Sequence, residues 1–199
     1  MNAHQKTSGG RTNVRRILVS VSLMLTGLMP GTRLMATDDR ASEPSVIVRE
    51  ARGVYSVTAR FHVPQPMETA LAVLKDYNNI PRFMPNVMKS VVVERGAGGA
   101  VVDQEALSHL MMFSKRVYLV LEITEGPDTL RFRDRSGRSF ARYEGLWRLC
   151  EGNDHTEIHY ELTAQPSFDL PEFLLRRLLK RDSMEMIEQL QREIAGRSR

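Results

Sequence analysis

The feature that most restricts this chain is a succession of short apolar segments separated by turn chemistry. The separators are Gly96-Ala97-Gly98-Gly99, Gly126-Pro127-Asp128, Ser136-Gly137 and Gly152-Asn153-Asp154. Glycine tolerates positive φ, proline fixes its own φ, and Asn or Asp bonds to nearby backbone, so each cluster reverses the chain locally. Between them run Val87 to Arg95, Ala100 to His109, Ser114 to Thr124, Leu130 to Asp134, Phe140 to Cys150 and Thr156 to Ala164. Connections this short join antiparallel neighbours, because a parallel crossover needs about a dozen residues or more. Six consecutive strands of one antiparallel sheet follow.

What flanks the strands sets the architecture. In Val54 to Val63, Tyr55, Val57, Ala59, Phe61 and Val63 alternate with Ser56, Thr58, Arg60 and His62, the pattern of a half-buried strand. Pro66 then opens a helix with an apolar stripe of Ala70, Leu71, Val73, Leu74 and Tyr77, stopped by Asn78-Asn79. Ile80 to Asn86 is a short helical turn containing Pro81 and Pro85. The last element, Glu172 to Ala195, has no Gly or Pro, and Leu174, Leu178, Ile187, Leu190 and Ile194 fall at helical spacing. A sheet of about seven strands with helices segregated from the strand run is an α+β arrangement, one sheet face being covered by the last helix.

Residues 1–36 read as a secretory signal. Lys6, Arg11 and Arg15-Arg16 precede the apolar run Ile17 to Met29, which Pro30-Gly31 closes. The run is short of the roughly 20 residues of a spanning helix. Ala36 offers a small residue before Thr37, although Leu34 stands where a second small residue is expected; uncleaved, the segment would be a membrane anchor. Arg15-Arg16-Ile17-Leu18 resembles a twin-arginine signal, but Val14 replaces the usual Ser or Thr, which favours an ordinary Sec n-region. The expected location is periplasmic or secreted. Residues 37–50 read as a flexible leader and 51–197 as the folded domain.

Charge bears on partners only once the signal is set aside. The chain has 28 basic and 24 acidic residues; five of the bases and none of the acids lie in residues 1–36. The remainder is nearly neutral, so the basic balance of the whole chain is no nucleic-acid footprint, and no nucleic-acid partner is expected. Cys150 is the only cysteine, which excludes an intramolecular disulfide. His155 and His159 are about 13 Å apart on an extended strand, too far to share a metal. No zinc spacing or phosphate loop is present, and no cofactor is expected.

Parity picks out candidate site residues. Tyr143, Gly145, Trp147 and Leu149 share one face of their strand, and Ile158, Tyr160, Leu162 and Ala164 share one face of the next. Joined by a short turn, these strands put Tyr143, Trp147 and Tyr160 on one wall, either lining a pocket or packed as core under the last helix. Gly145 allows close approach of a ligand or another backbone. Phe83 and Met84 are either a pocket rim or a rigid connector. Gln104 faces the same side as Val102, which turns Asp103 and Glu105 away. Met111-Met112-Phe113 is an apolar hairpin tip that forms a gate, touches a membrane transiently, or tucks against the last helix. Arg131, Arg133 and Arg135 alternate with Leu130 and Phe132 and read as solvent-face partners of Glu122, Glu157 or Glu161. Arg177 and Arg181 read as snorkelling surface arginines, with a ligand headgroup as the alternative role.

Several of these residues recur in a known pattern. Ala70-x-x-Val73-Leu74-x-Asp76-Tyr77, Ile80-Pro81-x-Phe83-Met84-Pro85, Ser90, Gly145-x-Trp147-x-Leu149, Thr156, Tyr160-x-Leu162 and Pro166 resemble the START-like (SRPBCC) superfamily of polyketide cyclase/dehydrases and lipid-transfer domains. The coenzyme-Q-binding START-domain branch is the most similar. The resemblance runs from about Val54 to Ile194. It implies a helix-grip fold, a curved sheet wrapped around the C-terminal helix with an apolar cavity between, that binds lipids, quinones or polyketides. On that reading Tyr77, Phe83, Met84, Gln104, Tyr143, Trp147, Tyr160, Leu174 and Leu178 line the ligand site. The export signal sets this chain apart from the intracellular members of that branch.

Binding or carriage of a hydrophobic small molecule is thus the expected function. Two rivals remain. One is an aromatase/cyclase-type enzyme in the same pocket, for which Asp103, Tyr143 or Tyr160 would supply the polar group. The other is a protein-interaction module, which a cavity below about 300 Å³ would favour.

Overall fold

The structure is a computed structural model that describes residues 43–110 and 113–197. The signal segment, residues 37–42 of the leader, and Met111-Met112 of the hairpin tip lie outside the described residues.

Eight strands form one sheet: β1 (Ser45–Ala51), β2 (Val54–Val63), β3 (Val87–Gly96), β4 (Gly99–Leu110), β5 (Phe113–Glu125), β6 (Thr129–Asp134), β7 (Phe140–Glu151) and β8 (Thr156–Pro166). Their order across the sheet is β1-β2-β8-β7-β6-β5-β4-β3, and every neighbouring pair is antiparallel. Helix α1 (Met67–Leu74), a 3₁₀ turn (Tyr77–Asn79) and α2 (Ile80–Phe83) separate β2 from β3, and α3 (Glu172–Gly196) closes the chain. The curved open sheet and long C-terminal helix form a helix-grip α+β fold.

The turn clusters fall between the strands where the sequence puts them. Period-two alternation also assigns the faces: Tyr55, Val57, Ala59, Phe61 and Val63 of β2 are buried, as are Thr156, Ile158, Tyr160, Leu162 and Ala164 of β8. One strand differs from expectation. The polar sequence around residues 45–50 reads as part of the leader, yet Ser45–Ala51 pair with β2 from Arg60 to Val54. Val46 and Val48 pack on the core while Ile47 is exposed, so β1 is an edge strand held by one neighbour; the charges around it mask its alternation. This raises the strand count from about seven to eight.

Helix α3 buries Leu175, Leu178, Ser183, Ile187, Leu190 and Ile194. Its end is fastened by Arg197, which donates to Asp76 Oδ2 (2.6 Å) and Glu193 Oε1 (2.8 Å), and by Gln191 Nε2 donating to the His62 carbonyl (3.0 Å). Burial alone would raise the Asp76 carboxyl, but hydrogen bonds from Arg197 and Asn79 outweigh it and hold it below its usual value. Under the sheet, fully buried Thr156 donates to the Gln65 carbonyl at 2.7 Å.

The free edge β3 carries irregularities between Val87 and Lys89 and between Val92 and Glu94, and exposes Met88, Val91 and Val93. The Val92 N–H donates to the Asn78 side chain at 2.8 Å, so this edge group has a partner within the chain.

Candidate functional site

Curvature leaves a cavity of about 320 Å³ between the concave face and α3, at the small end of the range of small-molecule sites. Its wall is built by strand parity. Trp147 of β7 and Tyr160 of β8 are paired across the ladder, with ring centroids 4.3 Å apart. Phe132 of β6 stacks on Tyr160 at 6.3 Å, and Phe140 lies 4.8 Å from Tyr143 and 6.0 Å from Phe168. The aromatic side chains thus form a continuous lining.

Gly145 has a definite task in that wall. A Cβ there would lie 2.4 Å from Phe132 Cζ and 2.2 Å from the Glu161 carbonyl oxygen. Phe132 is the cross-strand partner of Gly145, so the phenyl ring covers the bare backbone. The close approach expected at this glycine is made by a neighbouring ring and strand.

Eight of the nine residues singled out from sequence line the cavity: Tyr77, Phe83, Met84, Gln104, Tyr143, Trp147, Tyr160 and Leu178. Leu174 does not. It is half-buried beside Tyr55, Leu175 and Leu178, and Leu175 and Leu179 face the cavity with Leu178. The pairs Leu174-Leu175 and Leu178-Leu179 both satisfy helical spacing; docking of Ile187, Leu190 and Ile194 sets the helical phase that turns Leu174 aside. Tyr77 lines the cavity from the 3₁₀ turn rather than from α1. Sequence reasoning missed Phe168 and Met186; a lone aromatic in a loop and a Met on the final helix carry no period that marks them.

Polar groups in the wall are few and neutral. Gln104 Nε2 donates to buried Ser90 Oγ at 3.0 Å. Burial pushes the Tyr143 phenol up to about 12, although the neighbouring Tyr160 hydroxyl pulls the other way. Tyr160 is held well above the ordinary value by burial and by Tyr143. At neutral pH both phenols are protonated and can donate a hydrogen bond. Tyr77 is also raised, by burial first and then by Glu125, which accepts its hydroxyl at 3.0 Å and is itself paired with Arg95 at 2.6 Å.

Charged lining residues occupy the rim. Ser108 Oγ donates to Asp182 Oδ2 (2.5 Å), Asn86 Nδ2 donates to Glu185 Oε2 (3.0 Å), and Lys115 lies 4.5 Å over the Phe168 ring. Asp103 and Glu105 point to the other face, where they pair with Lys89 at 2.6 Å and Arg116 at 2.5 Å. That convex face holds a second hollow of about 510 Å³, open and lined by charged groups such as Glu122, Arg131, Arg133 and Glu161. Arg133 pairs with Glu122 (2.8 Å), one of the expected partners, whereas Arg135 pairs with Glu94 (2.7 Å) and Glu157 with Arg60 (3.0 Å). Among the described residues no group of three His, Cys, Asp or Glu side chains could hold a metal ion.

The sequence profile described as "Polyketide cyclase / dehydrase and lipid transport" matches residues 63–191, more than half of the chain. The chain belongs to this family. The chain shares the fold of several solved structures. They include TTHA0849 from Thermus thermophilus (22% identity, TM-score 0.63, covering 72% of this chain and 99% of that one). Another is a STAR-related lipid transfer protein from Xanthomonas axonopodis (17%, 0.62, 80% and 97%). A third is the Zhui aromatase/cyclase from Streptomyces (15%, 0.63, 73% and 96%). At these identities the likeness speaks for the fold alone. No curated protein sequence matches the chain. The family embraces binding proteins as well as aromatase/cyclases.

Proposed function

We propose that the protein binds, and carries, an uncharged or weakly polar apolar molecule in the cavity between the sheet and α3, and that it does so after export, residues 1–36 being the signal. The observation that carries this reading is the aromatic wall of Phe132, Phe140, Tyr143, Trp147 and Tyr160 around a cavity of about 320 Å³ whose charged lining residues belong to the rim. Burying an unpaired charge in such a wall is costly, whereas an apolar body with one carbonyl or hydroxyl suits it, because Tyr143 and Tyr160 can donate or accept. A single acyl chain, a quinone ring or a compact polyketide-like ring system has that character.

Mass spectrometry of organic extracts of the purified protein is the test, followed by titration of the extracted compound class against Trp147 fluorescence. A saturable emission change is expected; an empty extract together with silent titrations of quinones and fatty acids would sink the reading. Intact mass of the periplasmic protein tests export, with a start near Thr37 expected and full-length mass in the membrane fraction opposing it.

Ring closure on a bound polyketone is the second reading, favoured by the same phenol pair. With their raised pKa values these tyrosines serve as hydrogen-bond donors to a carbonyl rather than as proton-abstracting bases. Tyr143→Phe would then slow turnover of an added polyketone while leaving its binding nearly intact; no turnover by the unaltered protein removes this reading.

A further inference from the structure

The two halves of α3 carry opposite charge. Residues 172–181 hold Arg176, Arg177, Lys180 and Arg181 against Glu172 alone, whereas residues 182–196 hold Asp182, Glu185, Glu188 and Glu193 against Arg192 alone. The helix dipole does not supply the reason: its influence is confined to the end turns and favours acids at the start and bases at the finish. In the basic half, Arg176 pairs with Glu172 at 2.6 Å and Arg181 with Asp182 at 2.7 Å. Arg177 and Lys180 have no ion pair among the described residues. All four cations are exposed, and Phe173, 70% exposed, stands one turn before the first of them. Phe173, Arg176, Arg177 and Lys180 are spaced i, i+3, i+4 and i+7, so they share one face of the helix. The opposite face of the same turns presents Leu175, Leu178 and Leu179 to the cavity.

We propose that this face of α3 docks on an anionic lipid bilayer, Phe173 entering the headgroup layer and the four cations lying along the acidic headgroups. An exposed aromatic at the end of a cationic helix face gives that face the mixed composition of an interfacial helix, and each cation near an anionic surface adds attraction. A lipid surface is favoured over a nucleic acid because the aromatic is single, with no second stacking platform on this face, and because the same helix walls an apolar cavity. Docking does not require an occupied cavity, so a failure of ligand binding leaves this inference standing.

The full chain carrying Phe173→Trp and Trp147→Phe, bound to vesicles containing brominated phosphatidylglycerol, reads the helix locally. Loss of indole emission is expected; unchanged emission on fully bound vesicles overturns the docking. Partition of the unaltered chain, of Arg177→Gln/Lys180→Gln and of Phe173→Ser into phosphatidylglycerol vesicles is the second measurement. All three share the same N-terminal segment, so differences belong to α3. The double neutralisation should lower partition about 30-fold, and the loss of the aromatic about tenfold. Equal partition of the three chains overturns the proposal. So does tighter binding to a single-stranded oligonucleotide than to the vesicles, which would assign the face to nucleic acid.

Discussion

Two hollows lie on opposite faces of the same four strands, and the larger is the less suited to an apolar ligand. The open convex hollow of about 510 Å³ is bounded by Glu122, Arg131, Arg133 and Glu161, of which Arg133 and Glu122 form an ion pair. The concave cavity of about 320 Å³ is bounded by aromatic rings and leucines. One residue of shift along β7 or β8 moves a side chain from one environment to the other. Capacity for ligand therefore follows which face the strand alternation gives to the rings, and volume is secondary.

The contrast can be broken most severely at Gly145. Gly145→Val would drive a side chain into Phe132 and the Glu161 carbonyl, and a loss of about 3 kcal/mol or more is expected in denaturant melts. A near-neutral effect would mean that the Phe132 ring swings away freely and the concave wall is not close-packed.

Alkaline titration sharpens the comparison next. In the folded chain the Tyr143 and Tyr160 phenols are held above their ordinary value by burial. The stability linked to these raised values is full below an unfolded tyrosine's pKa near 10 and is lost as pH rises through the folded values. Ultraviolet absorbance should show these two phenols ionising later than a free tyrosine, together with or after unfolding. Ionisation of all five tyrosines near pH 10 in a still-folded protein would contradict it.

Trp147→Leu should weaken an aromatic ligand by about 0.5–1.5 kcal/mol, because stacking on the indole is lost while the site stays apolar. Smallest of all is Arg133→Ala across the sheet. Its pair with Glu122 is exposed and screened by solvent, so stability should barely change in denaturant melts, and ligand affinity should not move. Equal weakening by the two substitutions would show that the faces are wrongly assigned to ligand and solvent.

Much of this was legible from sequence because period two is strict. Turn residues marked the strand ends to within about two residues, and parity alone brought Tyr143, Trp147 and Tyr160 together. Helical period is more forgiving, which is why adjacent leucines left Leu174 and Leu175 indistinguishable. Strand β1 escaped because an edge strand needs only one apolar face and one neighbour. The rim pairs escaped for another reason: Ser108 and Asp182 are 74 residues apart, Asn86 and Glu185 are 99 apart, and no local pattern announces such partners.

An open sheet also has a social side. Strand β3 shows solvent a row of apolar side chains on an unpaired border, the kind of margin along which neighbouring copies can zip together. Asn78 forestalls this by occupying the Val92 amide, so an incoming strand meets a missing rung in the middle of its ladder while the two kinks on either side spoil its alignment. A side chain of the 3₁₀ turn beside the cavity thereby also guards the border of the sheet against a stray strand.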